Sequence, residues 1–398
     1  MLTLWIAAVG LCFGSFINVV IARLPLPDDV DEPDPGDSWW EGWKATFRIS
    51  GRAFKRLAWP PSRCPKCNHQ IRWFENIPVV SWLALRGKCS NCKTPISPRY
   101  ILVELLTGAL FVAAFSRFGW TQELLSPLVF IVFLVPLVFI DAEHWILPFE
   151  LTLPGIALGI GLAIPQGPDA VRTSLIGAVA GFLAFRVMEV GGFLATSTIV
   201  KDEHGVERRM GREALGAGDK YLLAMIGAQV GWRALLAVIL FSSLQGAVVG
   251  LIRMRMTGRA GPRDAKTDTA PKTEVKPEEA KSEEPKTDAP KDPTSPSDEE
   301  EEVEVFPFTP SFLAPGLPLW KRLVLVPVTI FFQDIPDSPP PDESTGEIPD
   351  WKPGANNIPF GPWLGLAGLQ VLLFSPWLVA QLAHTPWQLV ANLVLGGT

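Results

Sequence analysis

Residues 128–141 read LVFIVFLVPLVFID, an unbroken apolar run that ends on Asp141. A carboxylate in the middle of hydrocarbon costs about 2.5–3.5 kcal/mol on insertion scales, so an aspartate closing such a run marks where a membrane helix meets water and is a functional candidate by default. A second aspartate, Asp219, opens a later apolar run inside Gly216-Ala217-Gly218-Asp219. Together the two imply an intramembrane aspartyl hydrolase. The plainer reading is that each merely caps a helix at the interface, and Asp219 stands where an N-cap would.

Working outward, the chain has 398 residues, 48% of them hydrophobic, and 15 tryptophans, many near the ends of apolar stretches as interfacial rings require. The formal charge of −6 is an average over blocks of opposite sign. Basic residues crowd 48–99, and the acidic excess lies mostly in 270–304 and 334–350. Neither block reads as a nucleic-acid site. Met1–Ile21 has no basic leader region and no small-residue cleavage pattern before Arg23, which predicts a retained first helix over a removed signal peptide. Further spans are predicted near 100–117, 124–141, 150–165, 172–194, 234–252 and 359–382.

The stretch Tyr221–Leu251 decides the topology. It is either one long helix with Arg233 buried midway or two helices turning at Gly231-Trp232-Arg233, and the hairpin keeps Arg233 at an interface. With eight spans and an outside N-terminus, the basic segments Arg23–Arg99, Lys201–Arg212 and Arg253–Arg263 all fall on the cytoplasmic side, together with Asp141 and Asp219. The expected fold is an all-α polytopic membrane protein of about eight transmembrane helices, with a small cytoplasmic zinc-binding module and a disordered cytoplasmic insertion.

The module follows from Cys64-Pro-Lys-Cys67 and Cys89-Ser-Asn-Cys92, two Cys-x-x-Cys knuckles between the first two spans. Four thiolates so spaced close a tetrahedral zinc site. Two disulfides are the rival, but they do not persist in the reducing compartment where the topology puts this loop. His69 reads as a surface histidine, and Cys12 as a small lipid-compatible side chain.

Several motifs converge on a family. Phe13-Gly14-Ser15-Phe16-Ile17-Asn18-Val19-Val20 with Arg23-Leu24-Pro25, the double knuckle with Glu75-Asn76-Ile77-Pro78 between its halves, and Pro98-Arg99-Tyr100 with Glu104 resemble the bacterial type IV prepilin peptidases. So do Ile140-Asp141 with Leu147-Pro148, Gly216–Asp219 with Leu222-Leu223-Ala224, and Ile358-Pro359-Phe360-Gly361-Pro362. The resemblance implies an enzyme of the GxGD aspartyl protease type. It would cleave the basic leader from type IV prepilins and pilin-like subunits of type II secretion, then methylate the new N-terminal amine with S-adenosylmethionine. Asp141 and Asp219 match the catalytic pair, and Gly216 and Gly218 form the active-site loop. Zinc on Cys64, Cys67, Cys89 and Cys92 would organise the methyltransferase-associated module, with Glu75 and Glu104 as methylation-side candidates. A bacterial inner-membrane location follows, with aspartates and zinc module facing the cytoplasm.

The implied domains are a first helix at 1–23, a cytoplasmic zinc domain at 24–99, a peptidase core at 100–254, a cytoplasmic insertion at 255–356 with 264–303 disordered, and a last helix and tail at 357–398. Trp39–Leu57 is expected on the membrane surface. Leu323–Phe332 is too short to span and is left cytoplasmic. The chain departs from the family pattern near the chemistry: Lys220 directly follows Asp219, Tyr221 takes the usual lysine position, and Phe149-Glu150 follows Leu147-Pro148 where an aspartate is usual. Glu143 and Glu150 would steer a basic leader to the site, unless they are solvated loop charges. The rivals are a GxGD protease of other substrates, a peptidase lacking methylation, and a zinc-bearing membrane scaffold with structural aspartates.

Overall fold

The computed structural model describes residues 1–25, 59–196, 198–201, 207–210, 216, 218–257 and 359–382, with isolated residues at 55, 57, 318, 320 and 321. Nearly all of 28–58 and of 255–356, including 264–303 and Leu323–Phe332, lies outside the described residues.

The long apolar runs fold as helices: α1 (Leu2–Arg23), α3 (Arg99–Phe118), α4 (Leu125–His144), α5 (Phe149–Ala163), α6 (Pro168–Thr196), α8 (Leu235–Thr257) and α9 (Gly361–Leu382). A short α2 (Val80–Ala84) belongs to the cysteine module. Six segments are long and apolar enough to cross a membrane, and α9 adds a shorter apolar stretch, Gly361–Ser375. The chain is an integral membrane protein. Among the described residues one pair of strands forms, antiparallel β1 (Thr198–Lys201) and β2 (Glu207–Met210), with Thr198 opposite Met210. This hairpin starts at Thr198 and runs into the basic segment Lys201–Arg212.

The ambiguous stretch resolves as the hairpin. Helix α7 (Asp219–Val230) stops at Gly231, whose φ of +79° suits glycine, and Trp232–Ala234 form one 3-10 turn before α8. Arg233 is exposed and lies 5.5 Å over the Trp232 ring, so no charge is buried mid-helix. At 12 residues, α7 is about 18 Å long, too short to cross hydrocarbon alone. It survives by being surrounded: Leu222, Leu223, Met225 and Ile226 are fully buried, and α5, α6 and α9 pack around it. A helix apolar on every side belongs in a core.

Lipid tails are as apolar as leucine, so helices in a membrane associate by close fit, and small residues set how close they come. On α6, Gly177 and Gly181 bring the backbone against α7; a Cβ on Gly181 would stand 2.5 Å from the Leu223 carbonyl oxygen. On α1, a Cβ on Gly14 would stand 2.6 Å from Glu104 Cα of α3. Gly161 of α5 has open space where its Cβ would go. Substituting leucine at Gly181 should therefore separate α6 from α7 and cost about 1–3 kcal/mol, the scale of overpacking, whereas leucine at Gly161 should cost under about 0.5 kcal/mol. Thermal midpoints of the two variants in detergent, read beside wild type, check this.

Candidate functional site

All the elements that matter meet at one end of the bundle. Helix α4 carries Asp141 in its last turn and stops four residues on, where Trp145 turns left-handed and donates its N–H to the Asp141 carbonyl at 3.0 Å. Helix α7 starts on Asp219, whose N–H donates to Gly216 O at 3.1 Å. Both aspartates are only 6% exposed, and their carboxylates stand near enough for the charge of Asp141 to act on Asp219. Helix α9 closes the site from a distant part of the sequence. Gly361 packs on Asp141, and a Cβ there would lie 2.5 Å from Oδ2. Oδ2 itself has no hydrogen-bond partner among the described residues. The backbone N–H of Gly361 is the polar group that α9 turns to this carboxylate.

The capping reading of Asp219 fails. Gly218 occupies the N-cap position, and Asp219 is the first residue of the helix, its carboxylate turned to the Gly216 backbone. Gly218 is needed for a steric reason, since a Cβ would come within 2.6 Å of Leu147 Cβ. Gly216 borders Asp219 at the exposed edge of the turn.

Beside the pair lies an ionic cluster that the sequence reading missed. Lys220 Nζ stands 3.1 Å from each carboxylate oxygen of Glu189, and Arg186 donates to Glu189 Oε1 at 2.7 Å. All three are buried, at 4%, 2% and 2% exposure respectively for Lys220, Glu189 and Arg186. The signal was available: Arg186 and Glu189 sit inside the predicted span 172–194, where a charge is expensive unless paired. The two aromatic departures turn out to be one contact, with Phe149 and Tyr221 rings 4.9 Å apart at 89° and Phe182 completing the stack at 5.5 Å from Tyr221. Glu143 is held by Arg99, so its charge is already compensated and it contributes little steering.

The cysteine module is a pseudo-repeat. In the first knuckle Cys64 N–H donates to His69 O and Asn68 N–H to Cys64 O, with Asn68 left-handed at φ +55°. In the second, Cys89 N–H donates to Thr94 O and Lys93 N–H to Cys89 O, with Lys93 at φ +58°. The four Sγ atoms lie within 4.8 Å of one another, Cys64 to Cys92 at 3.7 Å and Cys67 to Cys89 at 3.9 Å. A tetrahedron with metal–sulfur bonds of about 2.3 Å requires sulfur edges of about 3.8 Å, whereas a disulfide needs about 2.05 Å. The donors therefore fit a metal ion. The Thr94 hydroxyl, followed by the Thr94 backbone N–H, holds the Cys92 thiol down to about 6, which favours the thiolate a metal requires.

Glu75 and Glu104 are both committed to internal partners. The Arg72 backbone N–H, the Ser90 hydroxyl and His69 hold Glu75 below the usual carboxylate range, bracing one knuckle to the other. Glu104, buried at the top of α3, accepts the Val79 N–H at 2.7 Å. Val79 is the centre of a tight turn, φ +61° and ψ −49°, closed by Val80 N–H to Pro78 O at 2.6 Å. A β-branched residue there is strained, and the Glu104 bond is what holds it.

Comparison with known proteins agrees with this geometry. The bacterial peptidase A24 N-terminal domain matches residues 8–118, and the type IV leader peptidase family matches 128–251. A prepilin leader peptidase/N-methyltransferase of Myxococcus xanthus (strain DK1622) is 47% identical over 369 residues, 93% of this chain and 89% of the relative. The chain belongs to the type IV leader peptidase family. Family relatives of the same description from Stutzerimonas stutzeri and Neisseria gonorrhoeae are 40% and 37% identical, over 62% and 64% of this chain and 79% and 82% of theirs. No solved structure matches.

The module should bind one metal ion per chain. Cobalt(II) added to the metal-stripped protein should give the intense near-ultraviolet charge-transfer bands of tetrahedral thiolate ligation, and Cys67→Ser should weaken binding at least about tenfold.

Proposed function

We propose that this chain is a membrane-embedded aspartyl endopeptidase that removes the basic leader from type IV prepilins and from pilin-like secretion subunits, and then methylates the new N-terminal amine. The meeting of Asp141 and Asp219 carries the reading: two buried carboxylates from separate helices, at one end of the bundle, beside a glycine turn. Such a pair shares a proton. One member takes a proton from water as it attacks the scissile carbonyl, while the other, protonated, polarises that carbonyl. The proton passes back to the leaving amine, and since the pair titrates as a unit, neither residue is given the acid role alone. The glycine turn ahead of Asp219 leaves room for an extended substrate strand to approach the pair.

We place this site on the cytoplasmic side of the bacterial inner membrane, where the positive-inside bias puts Arg23, Arg99 and Arg253–Arg263. Of the domain boundaries, 24–99 would serve methylation and 100–254 proteolysis. Zinc is the metal best suited to four thiolates; with no open coordination position it would organise the module, not react. S-adenosylmethionine would supply an electrophilic methyl group to the freed amine. Glu75 and Glu104 would contribute by bracing the module, given the partners each already has.

Asp141→Asn and Asp219→Asn should each lower cleavage of a co-reconstituted prepilin by at least about 10³-fold while leaving the protein folded, read as the mass of the product N-terminus. Cleavage that survives both substitutions would sink the reading. Gly361→Ala should slow cleavage by roughly 10–100-fold, because its methyl displaces the Asp141 carboxylate. Chelation of the metal should abolish the added methyl and spare cleavage.

A further inference from the structure

We propose that the cysteine module rests on the bilayer it is tethered to: Ile77, Val80 and Leu83, with Trp73 and Phe74 beside them, enter the interfacial layer of a membrane containing anionic lipid, and the cations at either end of this stretch bind its headgroups. These five large apolar side chains are all exposed, Trp73, Val80 and Leu83 at 81%, 60% and 59%, and a contiguous apolar stretch so placed marks an interaction surface. The only charged residue from Trp73 to Leu85 is Glu75, and it is turned inward to the Arg72 backbone N–H and to His69. Helix α2 itself has two sides. Trp82 packs into the module, where a Cβ on Gly87 would stand 2.8 Å from its ring, whereas Val80 and Leu83, one turn apart, share an outward side. The 3-10 turn Trp73–Asn76 packs against α2, with the Trp73 and Phe74 rings edge to face at 5.8 Å.

The depth of this face is fixed by one hydrogen bond. Arg99 opens α3 and pairs with Glu143, which marks the level where charges reach water. Glu104 lies five residues on, about 7.5 Å further along the helix. Its carboxylate accepts the Val79 N–H at 2.7 Å and meets the Ser15 hydroxyl of α1. Val79 immediately precedes α2, so α2 is held alongside the first turns of α3 and not above them. At that level α1 and α3 expose Phe16 and Leu102, and the outward side of α2 continues their lipid-facing surface. Amphipathic helices lie at such a depth, roughly 5–10 Å into the headgroup boundary. Charge selects the lipid. From 59 to 98 there are six Lys and Arg, all exposed, against one carboxylate, and a divalent ion on four thiolates would subtract two more charges, so three positive charges remain. Arg72 and Arg86 bracket the apolar stretch, and the Arg72 guanidinium lies 5.9 Å over the Phe74 ring, as a cation does when its stem covers apolar surface and its head stays at water.

The inference needs only the membrane spans and stands apart from the protease reading. To test it, the full-length chain, loaded with cobalt(II), is reconstituted in vesicles of phosphatidylglycerol and phosphatidylcholine with a diazirine-bearing amino acid at position 83. Parallel preparations carry the probe at position 80 and, as a control, at position 66 in the first knuckle, and the thiolate spectrum of the bound cobalt shows that each module is folded. After illumination the adducts are read by mass. Lipid should be captured at 83 and at 80 at least about tenfold more than at 66. Replacing phosphatidylglycerol with phosphatidylcholine, or introducing Arg72→Gln with Arg86→Gln, should lower that capture about threefold or more. Equal capture at 66 and 83 would overturn the proposal, as would capture indifferent to both the anionic lipid and the two arginines. Adducts at 83 to residues 28–58 or 323–332 of the same chain, or to a second copy of it, in place of lipid would show a protein cover on this face and overturn it as well.

Discussion

Ionisable groups at the edge of hydrocarbon must find their partners inside the protein, because no water is there to stabilise them. Five of them converge at one end of this bundle: Asp141, Asp219, Lys220, Glu189 and Arg186. The remaining architecture follows from the need to bring them together. Short α7 starts on Asp219 and is buried on all sides, so it must be enclosed by longer helices that do face lipid. The glycines of α6 allow the close approach that puts Glu189 and Arg186 beside Lys220. Gly361 lets α9 close over Asp141.

The constraint also accounts for an otherwise puzzling pair of substitutions. Where the family pattern has a charge after Leu147-Pro148 and two residues past the second aspartate, this chain has Phe149 and Tyr221, and their rings pack edge to face. One aromatic contact needs no counter-ion in a site with few places to put one. The lysine stands one position earlier and turns to α6, where Glu189 receives it. Charge is thus kept at the first turn of α7 but relocated to another face of the helix.

Much of this was legible in the sequence because membrane burial writes itself in one dimension. Apolar runs gave the helices, and the cost of burying Arg233 alone decided the hairpin at Gly231, as the structure has it. Asp141 and Asp219 stood out because each interrupts the edge of such a run, and the four cysteines because their spacing is local. What was not legible depends on contacts between distant segments. Gly361 was part of a quoted motif, yet nothing in its neighbours says that it lies on Asp141, more than two hundred residues earlier. Arg186 and Glu189 were visible as charges within a span, but their partner Lys220 is on another helix. The hairpin at Thr198–Met210 is short and polar, without the alternation that marks a half-buried strand.

The same end of the bundle also carries the metal module, and the two are mechanically joined. Arg99 lies seven residues past Cys92 and binds Glu143, two residues past Asp141. Glu104, one turn further along α3, holds the strained turn at Val79 that leads into the module's α2. Holding such a turn costs on the order of 1–3 kcal/mol, a cost that would be released if the module swung freely, so the bond to Glu104 fixes the module's entry angle. Two reactions on one substrate gain from this arrangement. A freed amine that stays at the membrane surface meets the second site at high effective concentration, provided that the second site is held close and does not drift on a flexible tether. The buried carboxylate at Glu104 then serves orientation, and its place in the α1–α3 interface, packed against Gly14, ties that orientation to the helices that anchor the chain.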